Sequence, residues 1–240
     1  MRLREGKASP AFAQRQERGM KSSPIPLSHA KGVLIGFALV CGACLPKAHG
    51  FTVGISPGQR ALYLQVGVGS MSGGNFSNGG TPGDNPTVNS ASVTVPVAQL
   101  GTGTPQPMTT DSPVTASPWA GAAFCTSPST TGQVYVGGFF RRPGQGAGGN
   151  QAILSVTVPA VLTSTSGDTI PFSRIAWTSS GNGDATATIP SGTFVGGSQD
   201  LLTIGRNTWF ESCLAFRYLN TEIVPAGTFT GTATFTLTAP

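Results

Sequence analysis

Residues 227–240, GTFTGTATFTLTAP, alternate so strictly that they leave room for little besides one kind of structure. Gly227, Phe229, Gly231, Ala233, Phe235, Leu237 and Ala239 hold the odd positions, and threonine holds every even position from Thr228 to Thr238. Successive strand side chains point to opposite faces, so this period of two predicts a long β-strand with a core face and a hydroxyl face. A helix is disfavoured, because threonine is stiff at χ1 and each interior glycine costs about 1 kcal/mol. The seven odd-numbered residues are the candidate strand-pairing interface.

The same period recurs upstream. Residues 61–68, 91–97, 119–125, 133–140, 152–160, 169–177, 185–189, 201–204 and 207–219 all read as strands, the last apolar on both faces as a central strand should be. Between them, residues 70–90, 102–118 and 141–150 are rich in Gly, Ser, Asn, Thr and Pro, which supply turns and bury little. The pentapeptide Ser-Val-Thr-Val-Pro occurs at 92–96 and 155–159, but no flanking similarity extends it into a repeat. About ten short strands with no helical period after residue 50 predict an all-β, immunoglobulin-like (Greek-key) β-sandwich with long Gly/Ser/Pro-rich loops. A jelly roll or barrel is the alternative.

Charge divides the chain in two. Up to Gly50 there are eight Lys and Arg against Glu5 and Glu17, whereas from Phe51 onward six Arg face seven acids. The basic balance of +5 therefore belongs to the leader. The nearly neutral remainder has no cationic stripe for neutralising phosphates, so nucleic acid is set aside as a partner. The leader has the order of a signal peptide: a cationic segment, the apolar run GVLIGFALVCGACL at 32–45, and small residues Ala48 and Gly50 before a cut ahead of Phe51. That run is shorter than the roughly 20 residues needed to span a bilayer, which predicts removal and no transmembrane segment afterwards. Met20 offers a more ordinary start, and Cys44 after Gly42 and Ala43 raises lipidation as a competing idea. The expected organisation is a leader over 1–50 and one domain over 51–240, secreted, periplasmic or at the cell surface.

After residue 50 the only cysteines are Cys125 and Cys213. Export to an oxidising compartment predicts a disulfide between them, with two separate buried thiols as the alternative. Both histidines and all four lysines lie in the leader, which removes Ser-His-Asp and Cys-His arrangements, Ser-Lys dyads and His-ligated metals from the remainder. Carboxylates remain, but Asp168, Asp184 and Asp200 stand in turn contexts where aspartate serves the backbone. No catalytic residue, cofactor or metal is expected. Asn182 and Asp184 offer too few oxygens for a calcium loop. Trp119, Phe139 and Phe140 are candidate ligand contacts, since aromatic rings stack on sugars as readily as they fill cores.

The leader, the all-β body and the closing strand together resemble subunits of bacterial chaperone-usher pili and the related spore-coat-U-like secreted proteins. Such subunits carry a glycine fourteen places from the C-terminus, the position of Gly227, followed by an alternating strand like Phe229, Ala233, Phe235 and Leu237. The resemblance implies a fold lacking one strand, filled first by a periplasmic chaperone and then by the N-terminal arm of another copy. Phe51, Val53 and Ile55 resemble such an arm. The implied function is an exported structural or surface protein that assembles by β-strand complementation. A secreted carbohydrate- or surface-binding sandwich is the alternative.

Overall fold

The period-two segments pair into sheets as their alternation requires. The computed structural model describes residues 2–4, 59–126, 132–144, 149–181 and 188–240. In chain order the strands are β1 (Arg2–Arg4), β2 (Ala61–Val66), β3 (Ser70–Ser72), β4 (Thr81–Gly83), β5 (Asn89–Ser92), β6 (Gln106–Pro107), β7 (Thr109–Thr110) and β8 (Val134–Arg141). They continue as β9 (Gln151–Val158), β10 (Val161–Thr163), β11 (Thr169–Pro171), β12 (Ile175–Ser180), β13 (Gly192–Thr193), β14 (Gly197–Gly205), β15 (Thr208–Tyr218) and β16 (Thr232–Thr238). Among the described residues the only helical pieces are two short 3-10 turns, so the chain is all-β.

Two six-stranded sheets carry the fold. The first runs β14-β9-β16-β1-β5-β7; the second runs β13-β12-β15-β8-β2, with β6 also paired to β15. Every pairing is antiparallel except that of β1 with β16. The inward residues of both sheets meet in one apolar core. Leu154, Val156, Ala233 and Phe235 come from the first sheet, and Val136, Phe140, Trp177, Phe210 and Leu214 from the second. β9 shows the period most plainly, with Ala152, Leu154, Val156 and Val158 buried and Gln151, Ile153 and Thr157 exposed.

The second sheet is covered on its other face too, which explains why β8 and β15 are apolar on both sides. Tyr63, Phe139 and Trp209 project outward from β2, β8 and β15, and Phe76 and Trp119 lie over them. The stretch that reads as one long loop at 70–90 therefore has structure of its own: β3 and β4 form a hairpin whose turn lays Phe76 on the sheet.

Several strand readings change; the one over 91–97 is extended only to Ser92, the end of β5, and its far end opens a 3-10 turn over Val97–Gln99. Residues 119–125 form no strand; Ser117 Oγ accepts the backbone N–H groups of Trp119 and Ala120, the Gly121 N–H closes on the Ser117 carbonyl, and only the lone bridge Ala116–Ala123 remains. The stretch 169–177 breaks at a 3-10 turn over Phe172–Arg174, which puts Phe172 in the core. The closing strand is shorter than its alternation, beginning at Thr232. Thr230 instead exchanges two backbone bonds with Thr163, and Gly231 lies so close to Leu162 and Phe172 that a Cβ there would sit 2.7 and 2.8 Å from their side chains. Gly227 and Phe229 consequently fall outside the strand, while Ala233 and Phe235 are fully buried and Leu237 and Ala239 pack partly against the core.

Candidate functional site

The first sheet has a feature that no alternation pattern foretells. β16 pairs along its length with β9, from Thr234 opposite Thr157 to Thr238 opposite Ile153. Its other edge meets β1 alone, in parallel, with Arg2, Leu3 and Arg4 opposite Thr232, Ala233 and Thr234. β1 then pairs antiparallel with β5, Arg2 opposite Ser90 and Leu3 opposite Asn89. Three residues from the start of the chain thus stand between β16 and β5, and among the described residues no direct pairing joins those two strands. Past Thr234, the β1-facing edge of β16 has no strand partner among the described residues. Beneath the slot lie the buried side chains of Ala91, Ala233 and Phe235.

The β5 wall of this slot is pinned by side chains. Asp111 Oδ1 accepts the backbone N–H of Ser90 at 2.8 Å and the Asn89 amide at 2.9 Å, and Asn89 Oδ1 accepts the Val68 N–H at 2.8 Å. Partial burial pushes the Asp111 carboxyl upward, but the hydrogen bonds from Asn89 and Ser90 outweigh it and hold the group below its ordinary range. The anionic form is therefore the one that holds β5 in place.

Of the candidate ligand contacts, the structure brings Trp119 and Phe139 together and sends Phe140 elsewhere. Adjacent strand residues face opposite ways, so Phe139 joins the outer aromatic group while Phe140 is wholly buried between the sheets. Phe140 is therefore a core residue and no contact surface. Phe139 is also buried, its ring 4.6 Å from that of Phe76 and 5.8 Å from that of Trp209. Trp119 stacks 5.2 Å from Trp209 and is itself half-buried. The Arg141 guanidinium lies 5.3 and 5.5 Å from the Phe139 and Phe76 rings, and burial pulls its pKa down. The partners Tyr63, Phe76 and Trp209 come from three separate parts of the chain, and no local signal groups them.

A buried carboxylate orders the covering loop. Glu211 is 2% exposed and accepts hydrogen bonds from Ser117 Oγ at 3.0 Å and Tyr135 Oη at 2.8 Å. The same Ser117 oxygen takes the Trp119 and Ala120 amides, so Glu211 sets the turn that places Trp119. The expected disulfide lies beside it: Cys125 and Cys213 are bonded, with Cα atoms 5.3 Å apart, and tie the end of this loop to β15. Glu211 thus serves structure, whereas Asp200, expected in a turn, lies within β14 opposite Ser155.

The arm residues Phe51, Val53 and Ile55 lie outside the described residues, as do Asn182 and Asp184. Among the described residues no three His, Cys, Asp or Glu converge as a metal site would require, and no helix is long and apolar enough to cross a membrane. No protein-family model, curated protein or solved structure matches this chain.

Proposed function

We propose that this chain is an exported structural subunit of immunoglobulin-like, Greek-key wiring whose first sheet is completed by a strand from another chain. The observation that carries the reading is the slot between β16 and β5, spanned among the described residues only by Arg2–Arg4, from a segment whose sequence reads as a leader marked for removal. Once the leader is gone, β16 and β5 face each other with unmade backbone hydrogen bonds above an apolar floor. Each buried polar group left unpaired costs about 1–3 kcal/mol, so an incoming strand is strongly favoured. Backbone bonds supply its affinity, and its alternating side chains set register.

The donors in this reading are a periplasmic chaperone before assembly and the arm bearing Phe51, Val53 and Ile55 of another copy afterwards. Such a subunit needs no catalytic residue, cofactor or metal, and it resides in the periplasm or at the cell surface. The test is thermal unfolding of the leader-free protein with and without a peptide copying residues 51–60. A peptide that binds only the folded state must raise Tm with its concentration. A stable monomer indifferent to the peptide would show the sheet to be closed and end the proposal.

A further inference from the structure

The outer face of the second sheet holds an aromatic site that is already filled, by a residue of the same chain. Tyr63, Phe139 and Trp209 stand opposite one another across β2, β8 and β15. Their rings lie 5.7 to 5.8 Å apart and within 29° of parallel, and all three residues are buried. What fills the site is Phe76. Its ring is 4.6, 5.5 and 6.4 Å from those of Phe139, Trp209 and Tyr63, and 5.3 Å from that of Trp119.

Phe76 is delivered by a lightly held element. β3 and β4 pair with each other and with neither six-stranded sheet, and a two-stranded hairpin by itself is marginal in water. At the tip, the backbone N–H groups of Phe76 and Ser77 donate to the carbonyls of Pro118 and Trp119, both at 2.8 Å. Gly73, Gly74, Asn78 and Gly79 around them are exposed, and a Cβ on Gly73 or Gly79 would meet nothing within 4 Å. The base is fixed, since the Asn85 amide donates to the Val68 carbonyl at 2.7 Å. Exposed backbone and few buried apolar contacts mark the part of a fold that opens first, and here that part is the tip.

Two buried donors of this aromatic group lack an acceptor. Trp209 Nε1, on a residue with no exposure, and Arg141 Nε have no hydrogen-bond partner among the described residues. The Arg141 guanidinium lies 5.5 and 5.3 Å from the centres of the Phe76 and Phe139 rings, and among the described residues no carboxylate pairs with it. Glu211, two residues along β15 from Trp209, shares its face, but its oxygens accept from Ser117 and Tyr135. A buried donor without an acceptor is costly to keep. Both groups here are donors, so an acceptor satisfies them, and the cation favours a negative one.

We infer that the place held by Phe76 is a binding site for a six-membered ring bearing a carboxylate, entered when the β3–β4 tip lifts. The ring stacks on Phe139, Trp209 and Tyr63 as Phe76 does, and its carboxylate accepts from Arg141 and from the Trp209 indole. A sugar acid and an aromatic acid share this chemistry. The site lies on the sheet that faces the slotted one, so it works whether or not a strand completes the first sheet.

The test is calorimetric titration of the full chain and of its F76A variant with trigalacturonate and with benzoate, against the uncharged cellotriose and benzamide. One acid should bind, and its uncharged counterpart should bind at least about tenfold more weakly, the worth of one charge-assisted hydrogen bond. Which acid binds identifies the source. F76A leaves the site unfilled and should bind that acid about tenfold tighter than the wild type, because a filled state lowers apparent affinity. Adding R141Q or W209F to F76A should each weaken binding about tenfold. W209F keeps a ring in place and removes the unpartnered N–H, so its Tm should match that of F76A, and its lost affinity then reports the hydrogen bond and not unfolding. Failure of both acids to bind F76A, equal binding of the uncharged rings, or undiminished affinity in F76A carrying W209F would overturn the inference.

Discussion

At the scale of single residues, the two acids that matter most accept hydrogen bonds from backbone, amide and hydroxyl donors. Asp111 holds β5 through Ser90 and Asn89, and its depressed pKa fixes the sign of a pH effect. A group whose folded pKa lies below its unfolded value of about 3.9 contributes stability above that value and loses it as pH falls through the lowered one. Asp111→Asn should therefore cost about 1 kcal/mol at neutral pH, the screened worth of its exposed hydrogen bonds, and should flatten the acid limb of a Tm-against-pH curve. Glu211→Leu should cost more, about 3 kcal/mol by denaturant midpoint, because it strands the buried Ser117 and Tyr135 hydroxyls. Loosening the Ser117 turn should also shift Trp119 emission to the red. Neither role was legible beforehand: aspartate near a turn is common, and only the packing of the loop over β15 reveals that Glu211 is buried.

At the scale of elements, β16 rewards its alternation where it lies over the core and ignores it where it does not. Phe235 is fully buried between the sheets, so Phe235→Ala should destabilise by about 3–5 kcal/mol, measurable by urea unfolding. Phe229 sits outside the strand and only partly against the core, and its truncation should cost distinctly less. The pattern in residues 227–231 is the same as in 232–238, yet the first part leaves the ladder because Leu162 and Phe172 press against Gly231. Likewise Phe139 and Phe140 form a single apolar pair in sequence, and the pleat assigns one to each face of β8. A period of two identifies a strand; it does not say how far the partner strand accompanies it.

At the scale of the whole molecule, the fold consists of a well-joined sheet facing one whose halves meet, among the described residues, through Arg2–Arg4. If those residues are what closes it, removing the leader should make the protein associate. Sedimentation should then show concentration-dependent species for residues 51–240 and a larger monomer fraction for the uncut chain. A leader-free monomer at all concentrations would contradict this. What the sequence by itself determined is the all-β class, the buried face of β16, the division of charge between leader and body, and the two cysteines that form the disulfide. Each follows from composition or local period, which the chain carries without reference to distant partners. Tertiary structure alone decided which edge of β16 lacks a partner past Thr234 among the described residues, and how five aromatic residues from distant segments gather over the second sheet. Those depend on which strands become neighbours, and neighbourhood is set by the packing of the whole core and by no single segment.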